Sequence, residues 1–199
     1  MVTDDGYKLE LHRIPYGLGQ SPFRKRRPVF LQHGFLNTDN VWLITQTDQA
    51  LGKFKYDKSI YRYFSLQYRY FLCLAYILAD SGFDVWLGNA RGNTYSRNHV
   101  FLDTEEQEYW NFSFDEMGRF DLPAVIRYVL ARTERSTMSY IGHSMGCAIF
   151  FICMTYHPEL NEKIDVMIAL APASSIAESE TGIRYQAPFV DKLLVSENK

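Results

Sequence analysis

The pentapeptide Gly142-His143-Ser144-Met145-Gly146 constrains this chain more than any other stretch. It is preceded by Met138-Ser139-Tyr140-Ile141, which reads as a short buried strand, and followed by an apolar run at 147–154, which reads as a helix. A serine on such a strand-to-helix turn is held in a strained backbone conformation, with its hydroxyl pushed above the edge of the sheet. The two glycines are needed because the turn brings neighbouring backbone too close for side chains. The pattern therefore implies a parallel sheet with a nucleophile at its crest.

With Gly and Ser each near about 7% of residues, the bare pattern arises by chance in roughly one chain in fifteen of this length. Its context decides. Upstream, Val29-Phe30-Leu31-Gln32 is an apolar strand running directly into His33-Gly34-Phe35-Leu36. In serine hydrolases with this arrangement, the loop after one strand gives an oxyanion-hole N–H, and the residue after the nucleophile gives the other. The candidates are the backbone amides of Phe35 and Met145. His33-Gly34 alone is an ordinary strand-ending turn; in this order with the elbow, the two motifs point to a serine hydrolase.

The bulk properties exclude other classes. The 199 residues are 47% hydrophobic, enough for one domain with a sizeable core. A net charge of −2 gives no nucleic-acid footprint. The basic cluster Arg24-Lys25-Arg26-Arg27 reads as a solvated loop. The longest apolar runs fall well short of the roughly 18 residues that a spanning helix needs, so no transmembrane segment is expected. Met1 is followed directly by Val-Thr-Asp-Asp-Gly, which is not a signal peptide. Cys73, Cys147 and Cys153 have no metal-type spacing, and a separation of six residues puts the last two on different helix faces. All three read as small core residues. No cofactor and no metal are expected.

Along the chain, Asp5-Gly6 reads as a turn leading into an alternating strand from Tyr7 to Arg13. Phe83-Asp84-Val85-Trp86-Leu87-Gly88 is a further strand, entered through the helix stop Asp80-Ser81-Gly82. Ser113-Phe114-Asp115-Glu116 is a capping box, and its helix carries Leu122, Val125, Ile126 and Val129 on one face. His157-Pro158 closes the helix after Ser144. The run at 164–170 is a last apolar strand, ending at Ala171-Pro172. Strands alternating with helices imply an α/β fold, a mostly parallel sheet with helices on both faces.

These residues resemble the acid lipase family of α/β-hydrolases, the group that includes gastric and lysosomal acid lipases. The matching segments are Thr3-Asp4-Asp5-Gly6-Tyr7, His12-Arg13-Ile14-Pro15 and Leu31-Gln32-His33-Gly34. They continue with the stretch from Leu78 to Asn89, then Arg91-Gly92-Asn93-Thr94-Tyr95-Ser96. Phe112-Ser113-Phe114-Asp115-Glu116-Met117, Asp121-Leu122-Pro123-Ala124, the serine elbow and Leu170-Ala171-Pro172 complete the set. The resemblance implies an α/β-hydrolase fold, with Ser144 as nucleophile and Phe35 and Met145 at the oxyanion hole. It implies hydrolysis of triacylglycerols or cholesteryl esters at a lipid–water interface, in a secreted or lysosomal protein with a helical lid.

Three departures follow from the resemblance. The family's first strand and signal peptide are expected before Thr3. Residues 52–72 have no counterpart, and two readings stand for them: untranslated sequence read through in frame, such as a retained intron, or a surface insertion of the kind that loops tolerate. In this fold the triad runs Ser, then Asp or Glu, then His, and the resemblance puts the last two beyond Lys199. The 199 residues are thus expected to form one incomplete domain, truncated after about the sixth strand, with 174–199 as the start of the lid. Among the five histidines, His33 reads as structural, His143 as a turn residue and His157 as a helix-end residue. His12 and His99 have no catalytic context. The chain is therefore expected to lack the base that activates serine and to be inactive as it stands. Arg91-Gly92-Asn93 reads as a turn after the fourth strand that orders nearby loops. Asp115, Glu116 and Asp121 read as helix-start carboxylates, and Asn111-Phe112-Ser113 is a glycosylation sequon. Two other functions stand beside lipid ester hydrolysis: a non-catalytic binder of lipid or a partner, and acyl transfer or peptide hydrolysis on the same fold.

Overall fold

The computed structural model describes residues 1–43 and 74–173. The expectations for 52–72, for Cys73 and for the lid at 174–199 lie outside the described residues. The described part holds seven strands in chain order: β1 Tyr7–Lys8, β2 Leu11–Ile14, β3 Arg27–Gln32, β4 Phe83–Gly88, β5 Asn98–His99, β6 Met138–His143 and β7 Ile164–Leu170. Its α-helices are α1 Leu74–Asp80, α2 Phe114–Glu116, α3 Leu122–Thr133 and α4 Met145–Tyr156. Five strands form one sheet in the order β2-β4-β3-β6-β7, with β2 antiparallel to β4 and the other pairings parallel.

The centre of the sheet follows from the sequence of β3. Its residues from Pro28 to Gln32 are all buried, as a parallel strand covered on both faces requires. Pro28 lacks a donor, and it sits at the strand start, before pairing with β6 begins at Val29↔Ser139. Successive residues then point to opposite faces. Phe30, Trp86 and Tyr140 enter one core with Ile126, Val129, Ile149 and Phe150 from α3 and α4. Val29, Leu31, Val85, Leu87 and Ile141 enter the other, with Trp42, Ala75 and Ala79. Cys147 and Cys153 are buried as free thiols. β7 is apolar in sequence except for Asp165, yet Val166 and Ile168 on it are exposed.

Two elements differ from the sequence reading. The alternating segment from Tyr7 to Arg13 is two strands, because its partner changes. β1 pairs with β5, β2 pairs with β4, and between them the Glu10 N–H is taken by Ser96 Oγ at 2.9 Å. The helix opened by Ser113 is interrupted. The capping box is present, with the Glu116 side chain accepting from the Ser113 N–H at 2.7 Å. A π-helical turn at Met117–Asp121 then precedes α3. Pro123 explains it. A proline has no N–H to give the carbonyl four residues back, which is that of Arg119. His157 Nε2 donates to the Arg119 carbonyl instead, at 2.9 Å. His157 is the helix-end residue expected, and its ring supplies the hydrogen bond that Pro123 cannot.

Candidate active site

β6, the turn and α4 form the expected elbow. Ser144 has φ 51° and ψ −112°, a strained conformation of the kind that costs a non-glycine residue on the order of 1–3 kcal/mol and is kept only where its surroundings enforce it. The enforcement is visible on both sides. The Ser144 N–H donates to the Leu170 carbonyl at the end of β7 (2.9 Å), and the Ser144 carbonyl accepts from Cys147 N–H (3.0 Å) and Ala173 N–H (3.4 Å). The glycines permit the approach of backbone to backbone. A Cβ on Gly142 would lie 2.8 Å from the Gly146 carbonyl carbon, and one on Gly146 would lie 2.5 Å from the Gln32 carbonyl oxygen. The buried Tyr140 hydroxyl donates to the Gly146 carbonyl at 2.7 Å, and burial holds that phenol far above its ordinary pKa.

The loop after β3 meets this elbow. A Cβ on Gly34 would lie 3.3 Å from Ser144 Cβ and 2.9 Å from His143 Nδ1, so the segment before Phe35 passes directly over the serine. Phe35 and Leu36 are exposed, and Leu36 has φ 56°. Met145 is the first residue of α4 and is buried. At that position the N–H has no carbonyl within its own helix, and the helix dipole favours negative charge beside it. A 3₁₀ turn at Asp39–Trp42 ends the loop, capped by Thr38, whose side chain accepts from the Asn40 N–H. Trp42 is enclosed in the core.

His33 is the structural histidine the sequence suggested. It is 1% exposed. Its Nδ1 donates to the Gly34 carbonyl at 2.7 Å, and its Nε2 accepts from the Ala90 N–H at 3.1 Å. A backbone N–H only donates, so the ring is the neutral Nδ1–H tautomer, and burial lowers its pKa. Burial lowers His143 in the same way.

The network behind the site was not legible in the sequence. Arg91 orders neighbouring segments, as its motif suggested, through a buried ion-pair network. Its guanidinium is fully enclosed and bonds Asp5 Oδ2 at 2.7 Å and Asp121 Oδ1 through Nε at 3.0 Å, and it lies 3.9 Å over the Tyr7 ring. Asp121 is therefore an ion-pair partner and not a helix-start carboxylate. Burial pushes it up to about 6, against the pull of Arg91. Glu116 keeps the capping role expected of it. Asn111 is exposed beside the Ser113 cap.

A family model described as "alpha/beta hydrolase fold" matches residues 27–194, and one described as "partial alpha/beta-hydrolase lipase region" matches residues 1–46. The chain is 38% identical to human gastric triacylglycerol lipase over 194 residues, covering 97% of this chain and 41% of that protein. It is 42% identical to rat lysosomal acid lipase/cholesteryl ester hydrolase over 177 residues, covering 87% of this chain and 39% of the relative. Among solved structures, a study of carboxylesterases from Nitrososphaera gargenis provides a match at 14% identity with a TM-score of 0.52, covering 100% of this chain and 53% of the other. That likeness concerns the fold alone. The chain spans about two fifths of the length of the curated relatives it matches.

Proposed function

The chain belongs to the α/β-hydrolase fold family, among its acid lipases, and from that membership we propose that it carries the nucleophile and oxyanion half of a lipid ester hydrolase. The observation that supports this most is the strained Ser144, held by Leu170 on one side and overlain by Gly34 on the other. Ser144 Oγ attacks the ester carbonyl, the ester C–O bond breaks and the alcohol leaves with the proton given up by the serine. Water then hydrolyses the acyl-enzyme to release the fatty acid and restore the hydroxyl. The tetrahedral oxyanion is met by the N–H groups of Met145 and Phe35, preorganised donors that need no rearrangement during the reaction. The dipole of α4 adds to them. The substrates are triacylglycerols or cholesteryl esters, the classes named for the two relatives above. The exposed Phe35 and Leu36 suit an oily surface. Secretion or a lysosomal place goes with the same kinship. Among the described residues, no helix is long and apolar enough to cross a membrane.

All five histidines of the sequence are among the described residues. His33 is committed to Gly34 and Ala90, His157 to Arg119, and His99 Nε2 to the Asp5 carbonyl at 2.8 Å. His12 lies between two carboxylates on β2, three strands from β6. His143 packs against Gly34. On this reading none of the five serves as the base for Ser144, and the 199 residues by themselves turn over esters slowly. The same reading leads to a second one, in which the 199 residues bind lipid esters without cleaving them. Incubation with emulsified triolein and cholesteryl oleate decides between the readings. Fatty acid release above a Ser144→Ala control supports the hydrolase. Retention of ester with no release above the control supports the binder.

A further inference from the structure

The oxyanion loop is tied to the sheet by a charge whose partner sits on a different strand. Asp39 opens the 3₁₀ turn four residues after Phe35, and its side chain is 0% exposed. Asp39 Oδ2 is in close hydrogen-bond contact with His12 Nδ1. The other ring nitrogen, Nε2, faces Glu10 Oε1 at 2.8 Å. A carboxylate only accepts, so a ring that serves both must carry a proton on each nitrogen. A buried carboxylate is tolerated only with a partner, and Asp39 has no other ion pair among the described residues. His12 is fixed by sheet register opposite Leu87, so the contact joins the 3₁₀ turn that ends the oxyanion loop to a strand of the sheet.

The surroundings support the same arrangement. The Asp39 N–H donates to Asn89 Oδ1 at 3.1 Å, and Asn40 Nδ2 donates to the Tyr95 hydroxyl at 3.1 Å. The Tyr95 ring stands edge-on to His12 at 5.1 Å. The groups facing the imidazole are thus Glu10 from the link just before its strand, Asp39 from the oxyanion loop and Tyr95 from the loop after β4. The neighbouring cation Arg13 is bound to Asp84.

We propose that His12 is a positioning residue for the proposed ester hydrolysis, its imidazolium clamping Asp39 and thereby holding the loop that carries the Phe35 amide. The proposal rests on the reading of Phe35 as an oxyanion donor. Burial of the ring works against its charge, but the hydrogen bonds and charges of Asp39 and then Glu10 outweigh this and raise its pKa. The clamp carries its full charge and both donors below the raised value, and it weakens as pH rises through that value, when the neutral ring keeps a single N–H donor. Each unit by which the clamped pKa exceeds the released one is a tenfold lower opening constant for the loop.

The test is a pH titration of the isotopically labelled 199-residue chain by NMR, following the His12 ring and the amides of residues 35–43. The expected result is a His12 midpoint above the ordinary value of about 6.5, with the loop amides shifting at the same midpoint. His12→Gln should abolish that shared midpoint while the β3 and β6 amides keep their positions. It should also lower the maximal rate at which a fluorophosphonate labels Ser144, by up to the ~10²–10³-fold that loss of one oxyanion donor costs, with little change in half-saturation. A His12 midpoint at or below the ordinary value, loop amides indifferent to it, or a labelling rate unchanged in His12→Gln would each overturn the proposal. The outcome is separable from that of the nucleophile assignment: labelling that survives Ser144→Ala refutes the latter and leaves the NMR result standing.

Discussion

Gly146→Ala probes the elbow with a single carbon atom. The new Cβ would lie 2.5 Å from the carbonyl oxygen of Gln32 and 3.1 Å from its carbonyl carbon and its Cγ, where ordinary contact begins at 3.4 Å. The closest atom is backbone at the end of β3, with no rotamer to move aside. Relief therefore requires α4 and the end of β3 to part by about 1 Å, the scale at which a misplaced catalytic group costs on the order of a hundredfold in rate. Overpacking of this kind costs about 1–3 kcal/mol in stability. Gly118→Ala is the comparison: its Cβ would meet first the Ile152 side chain at 2.5 Å and then the Ile149 carbonyl at 3.0 Å. It should lose comparable stability through Ile149 and Ile152, farther along α4 than Gly146. Urea unfolding gives the stability, and fluorophosphonate labelling followed by peptide mapping gives the rate at Ser144. Both variants should unfold earlier, with the labelling rate falling about a hundredfold in Gly146→Ala and little in Gly118→Ala. Equal labelling in wild type and Gly146→Ala would refute the argument that backbone contact between α4 and β3 sets the serine.

Three further outcomes are expected. Arg91→Met leaves Asp5 and Asp121 without their buried cation and should cost about 3–5 kcal/mol in urea unfolding; a loss under about 1 kcal/mol would contradict the ion-pair account. His157→Ala withdraws the donor from the Arg119 carbonyl and should cost about 0.5–1.5 kcal/mol, with exchange of amides around the π-helical turn accelerated. His33, whose pKa burial lowers, gives stability the opposite pH sign to His12. The unfolded chain takes up the proton first, so stability falls as pH drops below about 6.5 towards the lowered value. His33→Gln should flatten that part of the unfolding free-energy profile between pH 7 and 5.

The features legible in the sequence are those encoded over a few residues. β4 and β7 have the limits their apolar runs suggest, the capping box at Ser113 is in place, and the elbow has the glycine contacts its motif requires. What escaped depends on the partner. The strand from Tyr7 to Arg13 is uniform in pattern, and only the switch from β5 to β4 divides it. Arg91 meets Asp5 across 86 residues and Asp121 across 30, and His12 meets Asp39 across 27. No periodicity links such positions. A proline at 123 was the one available signal for the π-helical turn, since it announces a carbonyl without its helical donor.

Ser144 as a nucleophile presented to an ester carbonyl is tested most directly by the time course of fluorophosphonate adduct formation on the 199-residue chain, with the modified residue located by mass spectrometry. The expected result is a single adduct at Ser144, absent in Ser144→Ala, forming several orders of magnitude more slowly than on a serine esterase with a complete triad. An adduct on another residue, or no adduct at all, would contradict the nucleophile. Labelling as fast as that of a serine esterase with a full triad would contradict the reading that none of the five histidines is the base for Ser144.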